Sequence, residues 1–170
     1  GDKSTLGFFL EEIVHQCSHT VFDAVLAEVD SFFKVDPGTE LGKFIEHNDR
    51  RTLFSAFHGI YTTGQIVEVL TGIYNSAQLK LSLQERHEIL GRLAINKNRI
   101  NIGLEKAPLT EIFTEKGLVL FNKLNDRLLK NVTENDHLFD FEISTHPVVL
   151  DYDIFKDDKT TSLNLLKSLI

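Results

Sequence analysis

His87 is the residue of this chain whose type and position could do the most chemistry. The surrounding segment 82–91 is expected to be helical, and helical spacing puts Leu83, His87, Leu90 and Ala94 on one face. A buried imidazole needs a hydrogen-bond partner or a metal, because an unpaired buried polar group costs about 1–3 kcal/mol. His87 is therefore either a satisfied core side chain or a ligand.

Aromatic residues form the second feature that could serve a site. The chain has 13 phenylalanines among 170 residues. Two separate predicted helices contribute a group of them, namely Phe32, Phe33, Phe54, Phe57 and Tyr61. Such a group can be explained by ordinary core packing. It would also provide the apolar wall that a flat apolar cofactor needs on one side.

Charge and spacing argue against several functional classes. The formal net charge is -7, which is unfavourable for binding nucleic acid. Arg51 and His58 lie seven residues apart, as in some helical ribonucleases, but the acidic chain argues against an RNA substrate. No nucleophile elbow, glycine-rich phosphate loop or zinc-protease motif is present, so we expect no enzymatic activity.

Metal motifs are also weak. The acidic segment 151–158 departs from the calcium-loop pattern at Phe155 and lacks its glycine. Cys17 is the only cysteine, which excludes an internal disulfide, and Cys17 with His19 does not make a zinc site.

The elements that must position these residues are predicted to be helices. Apolar periodicity predicts one long helix or two abutting helices over 4–34, with Asp36-Pro37-Gly38 as the stop signal. The next helix is expected to be capped by Asn48 or Asp49 and to end near Gly64, and a further helical stripe follows over 66–73.

Later helices have clearer start signals. Ser82 and Glu85 have the spacing of a capping box, and Pro108 suits the first turn of a long helix over 108–132. Segment 138–154 fits either strand or helix, and helix is favoured.

We therefore predict one all-α domain over residues 1–170, cut from a longer polypeptide. Residues 156–170 are expected to lead into a following output module. No apolar run is long enough to span a bilayer, so we expect a cytoplasmic protein without membrane contact.

Against this background, the chain resembles the globin domain of globin-coupled sensors, a group that includes protoglobin-like domains. The segment His87-Glu-Ile-Leu-Gly91 is similar to the family's proximal-histidine segment. Upstream, Phe32-Phe33, Asp36-Pro37 and Phe44 resemble the end of its second helix and the short region after it. The resemblance covers roughly residues 15–130.

The resemblance implies a haem b site with His87 as proximal iron ligand. Phe32 falls where many members have an oxygen-binding tyrosine, and Phe54 falls on the distal helix. The residues expected to bind the cofactor are His87, Phe32, Phe54, Phe57, His58, Tyr61, Leu83 and Leu90. A second register aligns 98–104 with the proximal segment and places Arg99 at the ligand position, which would make the domain a haem-free globin.

Two functional hypotheses follow. In the first, the domain senses a diatomic gas or redox state through haem and signals to a C-terminal output domain, as a homodimer formed through the helix over 108–132. In the second, from a different class, the domain is a haem-free helical sensor or protein-interaction domain and His87 is a satisfied core residue. The amphipathic segment 53–74 suggests, more weakly, an accessory module of an effector or exchange factor.

Overall fold

A computed structural model describes residues 5–46, 48–100 and 104–138 of the chain. Within them the fold is all-α, as predicted, and no strand is formed. The α-helices are α1 (Leu6–Val25), α2 (Leu53–Tyr74), α3 (Leu83–Ile100), α4 (Leu109–Ile112) and α5 (Glu115–Glu134). The predictions for 139–154 and 156–170 lie outside the described residues. None of the described helices is long and apolar enough to cross a membrane.

The first helix ends much earlier than the periodicity predicts. The side chain of Thr5 caps α1 by accepting the Phe8 N–H, and the helix ends at Val25 instead of continuing to Lys34. The Thr114 N–H donates to the Phe32 carbonyl at 3.0 Å, and the Lys34 N–H donates to the Ile112 carbonyl at 2.8 Å. These tertiary bonds occupy backbone groups that a continuing helix would need, so the prediction of helix to residue 34 was wrong.

Helix α2 is continuous where the sequence predicted a break. It begins after Thr52, whose hydroxyl accepts the Ser55 N–H, and it runs through Gly64 to Tyr74. Glycine inside a helix costs about 1 kcal/mol relative to alanine. Packing against α1, α3 and α5 offsets that cost, because α2 is the central helix of the fold. The expected cap at Asn48 or Asp49 and the expected end near Gly64 were therefore wrong.

The start of α3 is confirmed in detail. The Ser82 N–H donates to Glu85 Oε2 at 2.7 Å, and the Glu85 N–H donates to Ser82 Oγ at 3.2 Å. This is the reciprocal arrangement of a capping box. The predicted long helix over 108–132 is instead divided into α4 and α5, because Phe113 is extended and Thr114 caps α5 by accepting the Gly117 N–H.

The core consists of two clusters along α2. We call the first the aromatic cluster; its buried members include Phe22, Phe32, Phe33, Leu41, Leu53, Phe57, Ile112, Phe113 and Phe121. The second, the aliphatic cluster, contains Ile66, Val67, Leu70, Ile89, Leu90, Leu93, Leu128 and Leu138. Helix α3 thus contributes to the aliphatic cluster, and the aromatic cluster is built mainly from α1, α2 and α5 and the segments next to them.

Gly117 is required where α5 approaches the segment after α1. A Cβ built at this position would lie 2.1 Å from the Phe32 carbonyl oxygen, a backbone atom held by its bond to Thr114. Gly117→Ala should therefore destabilise the protein by about 1–3 kcal/mol or more, although alanine is the better helix former. Urea unfolding measures the change.

Gly59→Ala is the matched control, because a Cβ at Gly59 in α2 meets nothing within 4 Å. That variant should be neutral or more stable than wild type by up to about 1 kcal/mol. Equal destabilisation of both variants would contradict the close approach at Gly117.

Candidate functional site

His87 is buried on α3, as the sequence predicted. Its exposed fraction is 1%, and Leu90 and Ala94 on the same face are 1% and 2% exposed. His87 makes an interaction within the protein, so it is not left without a partner. The inward-facing stripe of α3 is therefore confirmed, and a ligand role for His87 stays a prediction.

The residues expected to surround a haem are divided between the two core clusters. Phe32 and Phe57 belong to the aromatic cluster, with Phe54 and Tyr61 packed against it. Leu90 belongs to the aliphatic cluster, and Leu83 packs against that one. The predicted positions therefore do not share one core cluster, and their role in binding a cofactor stays a prediction.

The space beside the predicted aromatic wall is occupied by other side chains of the protein. Phe57 has no exposed surface, and its ring centroid lies 5.2 to 6.4 Å from those of four other rings, namely Phe22, Phe33, Phe113 and Phe121. A flat cofactor against Phe57 would have to displace one of these rings. This packing does not fit a haem group against that wall.

A small cavity lies between α2 and α5, away from His87. Its lining includes Tyr61, Gln65, Glu68, Arg127 and Asn131, and its volume is about 10 Å³. That is room for about one water molecule. The side-chain oxygen of Asn131 is buried without a hydrogen-bond partner, which suits a single bound water there.

Next to His87, α3 carries a group of buried charged and polar side chains that we call the ion network. Its centre is Arg92, whose Nη2 lies 2.7 Å from Glu88 Oε1 and whose Nη1 lies 2.6 Å from Glu11 Oε2. The side chains of Arg92 and Glu88 are each 2% exposed. Asn96 Nδ2 donates to Glu11 Oε1 at 3.2 Å, and Arg99 lies 3.6 Å from the same oxygen.

Glu88 also holds the start of α1. Its carboxylate accepts hydrogen bonds from the Thr5 hydroxyl at 2.5 Å, from the Phe8 N–H at 3.0 Å and from the Gly7 N–H at 3.3 Å. Backbone N–H groups at a helix start favour an anion. Every charge of the network has an opposite charge in contact, so the arrangement serves to join α1 to α3.

Sequence reasoning missed this network. The only local signal was the spacing Glu88, Arg92, Asn96, at i, i+4 and i+8 on one helix, which is also typical of a solvated face. The deciding partners, Thr5 and Glu11, lie about 80 residues away in sequence. Arg99, the alternative ligand position, lies at the edge of this network.

Three histidines meet where α1 packs on α2, and we call them the histidine cluster. His15 Nε2 and His19 Nε2 are 2.8 Å apart, and the ring centroids of His19 and His58 are 4.1 Å apart. His58 Nε2 lies 3.3 Å from the hydroxyl of Thr62. Arg51, the other half of the suspected ribonuclease pair, precedes α2 and binds Asp49 with an Nη2–Oδ2 distance of 2.6 Å.

The pKa of His58 is lowered from its ordinary value. Burial is the largest cause, because it disfavours the charged ring, and repulsion from His19 and His15 lowers the pKa further. Attraction to Asp23 opposes these effects but does not cancel them.

The outer face of α1 remains exposed among the described residues, although it is apolar. It carries five large side chains, Leu6, Phe9, Ile13, Val21 and Val25, which are 37%, 59%, 44%, 50% and 50% exposed. Cys17 lies on the same face and is exposed. Helix α1 carries Glu11, Glu12 and Asp23 but no lysine or arginine.

The helix expected to form a homodimer uses its apolar face internally. Phe121 and Leu128 of α5 are buried, and α5 packs against α2. Val119 and Leu129 remain exposed on its other side at 51% and 47%. Dimerisation through this helix stays a prediction.

Comparison with known proteins does not add a relative. No family model, no curated protein and no solved structure matches this chain. The resemblance to globin-coupled sensors therefore stays a prediction, and functional inference depends on the geometry described above.

The lowered pKa of His58 predicts how stability depends on pH. Below the ordinary histidine pKa of about 6.5, the unfolded chain binds a proton at this position more readily than the folded protein does. The free energy of unfolding should therefore fall as pH drops from about 6.5 toward the lowered pKa. Urea unfolding at several pH values measures the slope, and His58→Gln should reduce it.

His137→Gln is the control, because His137 is exposed and lies outside the histidine cluster. That variant should keep the wild-type slope. An unchanged slope in His58→Gln would show that the cluster does not contribute to acid sensitivity.

Proposed function

We propose that this chain is a haem-free helical interaction domain that binds an amphipathic helix through the outer face of α1. The observation that carries the proposal is the row of exposed apolar side chains along that helix. Single exposed apolar residues are ordinary on protein surfaces, whereas a contiguous apolar patch is a common sign of a binding surface.

Spacing supports a helical partner. Leu6, Phe9, Ile13, Cys17 and Val21 follow one another at steps of three or four residues, which is the pattern by which helices pack together. Twenty residues of helix extend about 30 Å, which is enough for several turns of a partner.

Charge supports a basic partner. Glu12 lies on α1, which has no positive residue to balance it, and the exposed Glu28 and Asp30 follow. Positive residues beside the partner's apolar row would complement these carboxylates, whereas acidic residues there would be repelled.

The core packing is why the proposal is haem-free. Phe57 is enclosed by four phenylalanine rings, and the other predicted cofactor residues are divided between two clusters. Under this proposal His87 is a satisfied core side chain.

Binding to the outer face can be tested with a synthetic helical peptide of about 20 residues that carries leucine at heptad core positions and lysine beside them. The peptide should bind the wild-type chain, and Phe9→Gln and Ile13→Gln should each weaken binding about tenfold. Fluorescence anisotropy measures the affinity. Both side chains are largely exposed, so the variants should keep wild-type stability.

Val119→Gln is the matched control, because Val119 on α5 is 51% exposed and lies on another helix. A peptide with glutamate in place of lysine should bind more weakly. An equal loss of peptide affinity in Val119→Gln, or equal affinity for the lysine and glutamate peptides, would contradict the proposal. A concentration-dependent dimer that disappears in Ile13→Gln would identify a second copy as the occupant instead of a basic helix.

Haem binding is tested by absorbance after reconstitution of the purified chain. We expect no Soret band that depends on His87, because the aromatic cluster leaves no room for the macrocycle against Phe57. A Soret band lost in His87→Gln would overturn the haem-free proposal and favour the sensor-globin hypothesis. Circular dichroism of the variant distinguishes loss of the ligand from loss of the fold.

A further inference from the structure

The histidine cluster contains a pair of imidazoles arranged to share one ligand. His15 and His19 lie one helical turn apart on α1, and their Nε2 atoms face each other at 2.8 Å. We propose that His15 and His19 form a two-ligand site for a divalent transition metal that takes imidazole ligands, the class that includes Ni²⁺ and Cu²⁺. This site is independent of the outer face of α1 and goes beyond the interaction function.

The distance between the two nitrogens suits two ligands of one metal ion. With metal–nitrogen bonds of about 2.0–2.1 Å, ligands at right angles lie about 2.9 Å apart and tetrahedral ligands lie about 3.4 Å apart. In the metal-free protein the two Nε2 atoms are 2.8 Å apart, which is a hydrogen-bond length, so a small rotation of either ring brings them to a metal-binding separation. Imidazole nitrogen is a suitable ligand for Ni²⁺, Cu²⁺ and Zn²⁺.

In the metal-free protein, the short distance between the two Nε2 atoms requires a hydrogen bond between the rings. One Nε2 donates its hydrogen to the other, so the two rings differ in tautomer. Moving that hydrogen to Nδ1 of the same ring leaves two free nitrogen lone pairs for a cation, with no net loss of a proton.

His58 holds one ring of the pair in place. Its ring lies against His19, and its own Nε2 lies 3.3 Å from the Thr62 hydroxyl. His58 is therefore a positioning residue, and preorganisation of a ligand ring reduces the entropy lost on binding.

Solvent must complete the coordination sphere. Among residues 5–46, 48–100 and 104–138, no group of three or more histidine, cysteine, aspartate or glutamate side chains is arranged to hold a metal. His15 and His19 are each only partly buried, so water has access to the open positions. The site is thus an exchangeable one that the metal shares between protein and solvent.

Ni²⁺ titration of the untagged chain, monitored by calorimetry, tests the proposal. The thiol of Cys17 is exposed on the same helix, so all proteins carry Cys17→Ser. We expect one Ni²⁺ per chain at this site at about pH 7.5. His15→Gln and His19→Gln should each weaken binding about tenfold or more.

Two variants separate the ligands from their surroundings. His137→Gln changes an exposed histidine outside the cluster and should leave the affinity unchanged. His58→Phe keeps an aromatic ring against His19 and should retain most of the affinity. Ni²⁺ should also raise the unfolding temperature of the parent protein but not that of His19→Gln, because only metal bound to the folded state stabilises it.

Unchanged Ni²⁺ affinity in both His15→Gln and His19→Gln would overturn the proposal. If His58→Phe reduced the Ni²⁺ affinity as much as His19→Gln does, the proposal would also be overturned, since His58 would then be a third ligand. Binding of the helical peptide is measured on separate residues, so failure of the metal site and failure of the interaction function are distinguishable.

Discussion

The contact between Glu88 and the start of α1 fixes how α1 lies against α3. This orientation determines which side chains of α1 are exposed. One buried carboxylate receives three hydrogen bonds from residues 5 to 8 and pairs with Arg92. Removing one partner of a buried ion pair costs about 3–5 kcal/mol, because the other charge is left uncompensated. Gly7 is part of the same constraint, since a Cβ there would lie 2.7 Å from Glu88.

This constraint explains why an apolar helix face remains exposed. If α1 rotated to bury Phe9 and Ile13, its first N–H groups would leave Glu88, and Glu11 would leave Arg92. Burying Phe9 and Ile13 would gain about 3–6 kcal/mol, which only matches the cost of breaking the ion network. The same rotation would also expose Phe22, which is 1% exposed on the opposite side of α1, so it brings no net gain. The exposed face is therefore a consequence of a specified orientation, which favours a binding role over imperfect packing.

The same orientation places the histidine cluster on the inner side of α1. Phe22 and Ser18 are buried there, and the ring of Phe22 lies 4.9 Å from that of His58. At about 100° per residue, His15 lies about 160° around the helix from Ile13. One helix thus presents an exposed apolar face on one side and the proposed pair of metal-binding nitrogens on the other.

Local signals in the sequence predicted local structure well. The Ser82 capping box, the inward stripe of α3 and the burial of His87 follow from spacing alone. The break expected at Gly64 was wrong because helix packing around α2 outweighs the small propensity cost of one glycine. Likewise, the expected continuation of α1 to residue 34 was wrong because the Thr114 N–H donates to the Phe32 carbonyl, and these two residues lie far apart in sequence.

Prediction of the candidate site depended even more on contacts between residues that are far apart in sequence. His87 was found because its spacing is local, but the role assigned to it required Phe32, Phe57 and Leu90 to face one slot, and they belong to different clusters. The pair His15 and His19 has a one-turn spacing in the sequence, whereas the contact of His19 with His58 depends on the packing of α1 against α2. A metal site also needs open coordination positions and a path for exchange. Partly exposed imidazoles at a helix surface meet that requirement better than a histidine that is 1% exposed in a filled core.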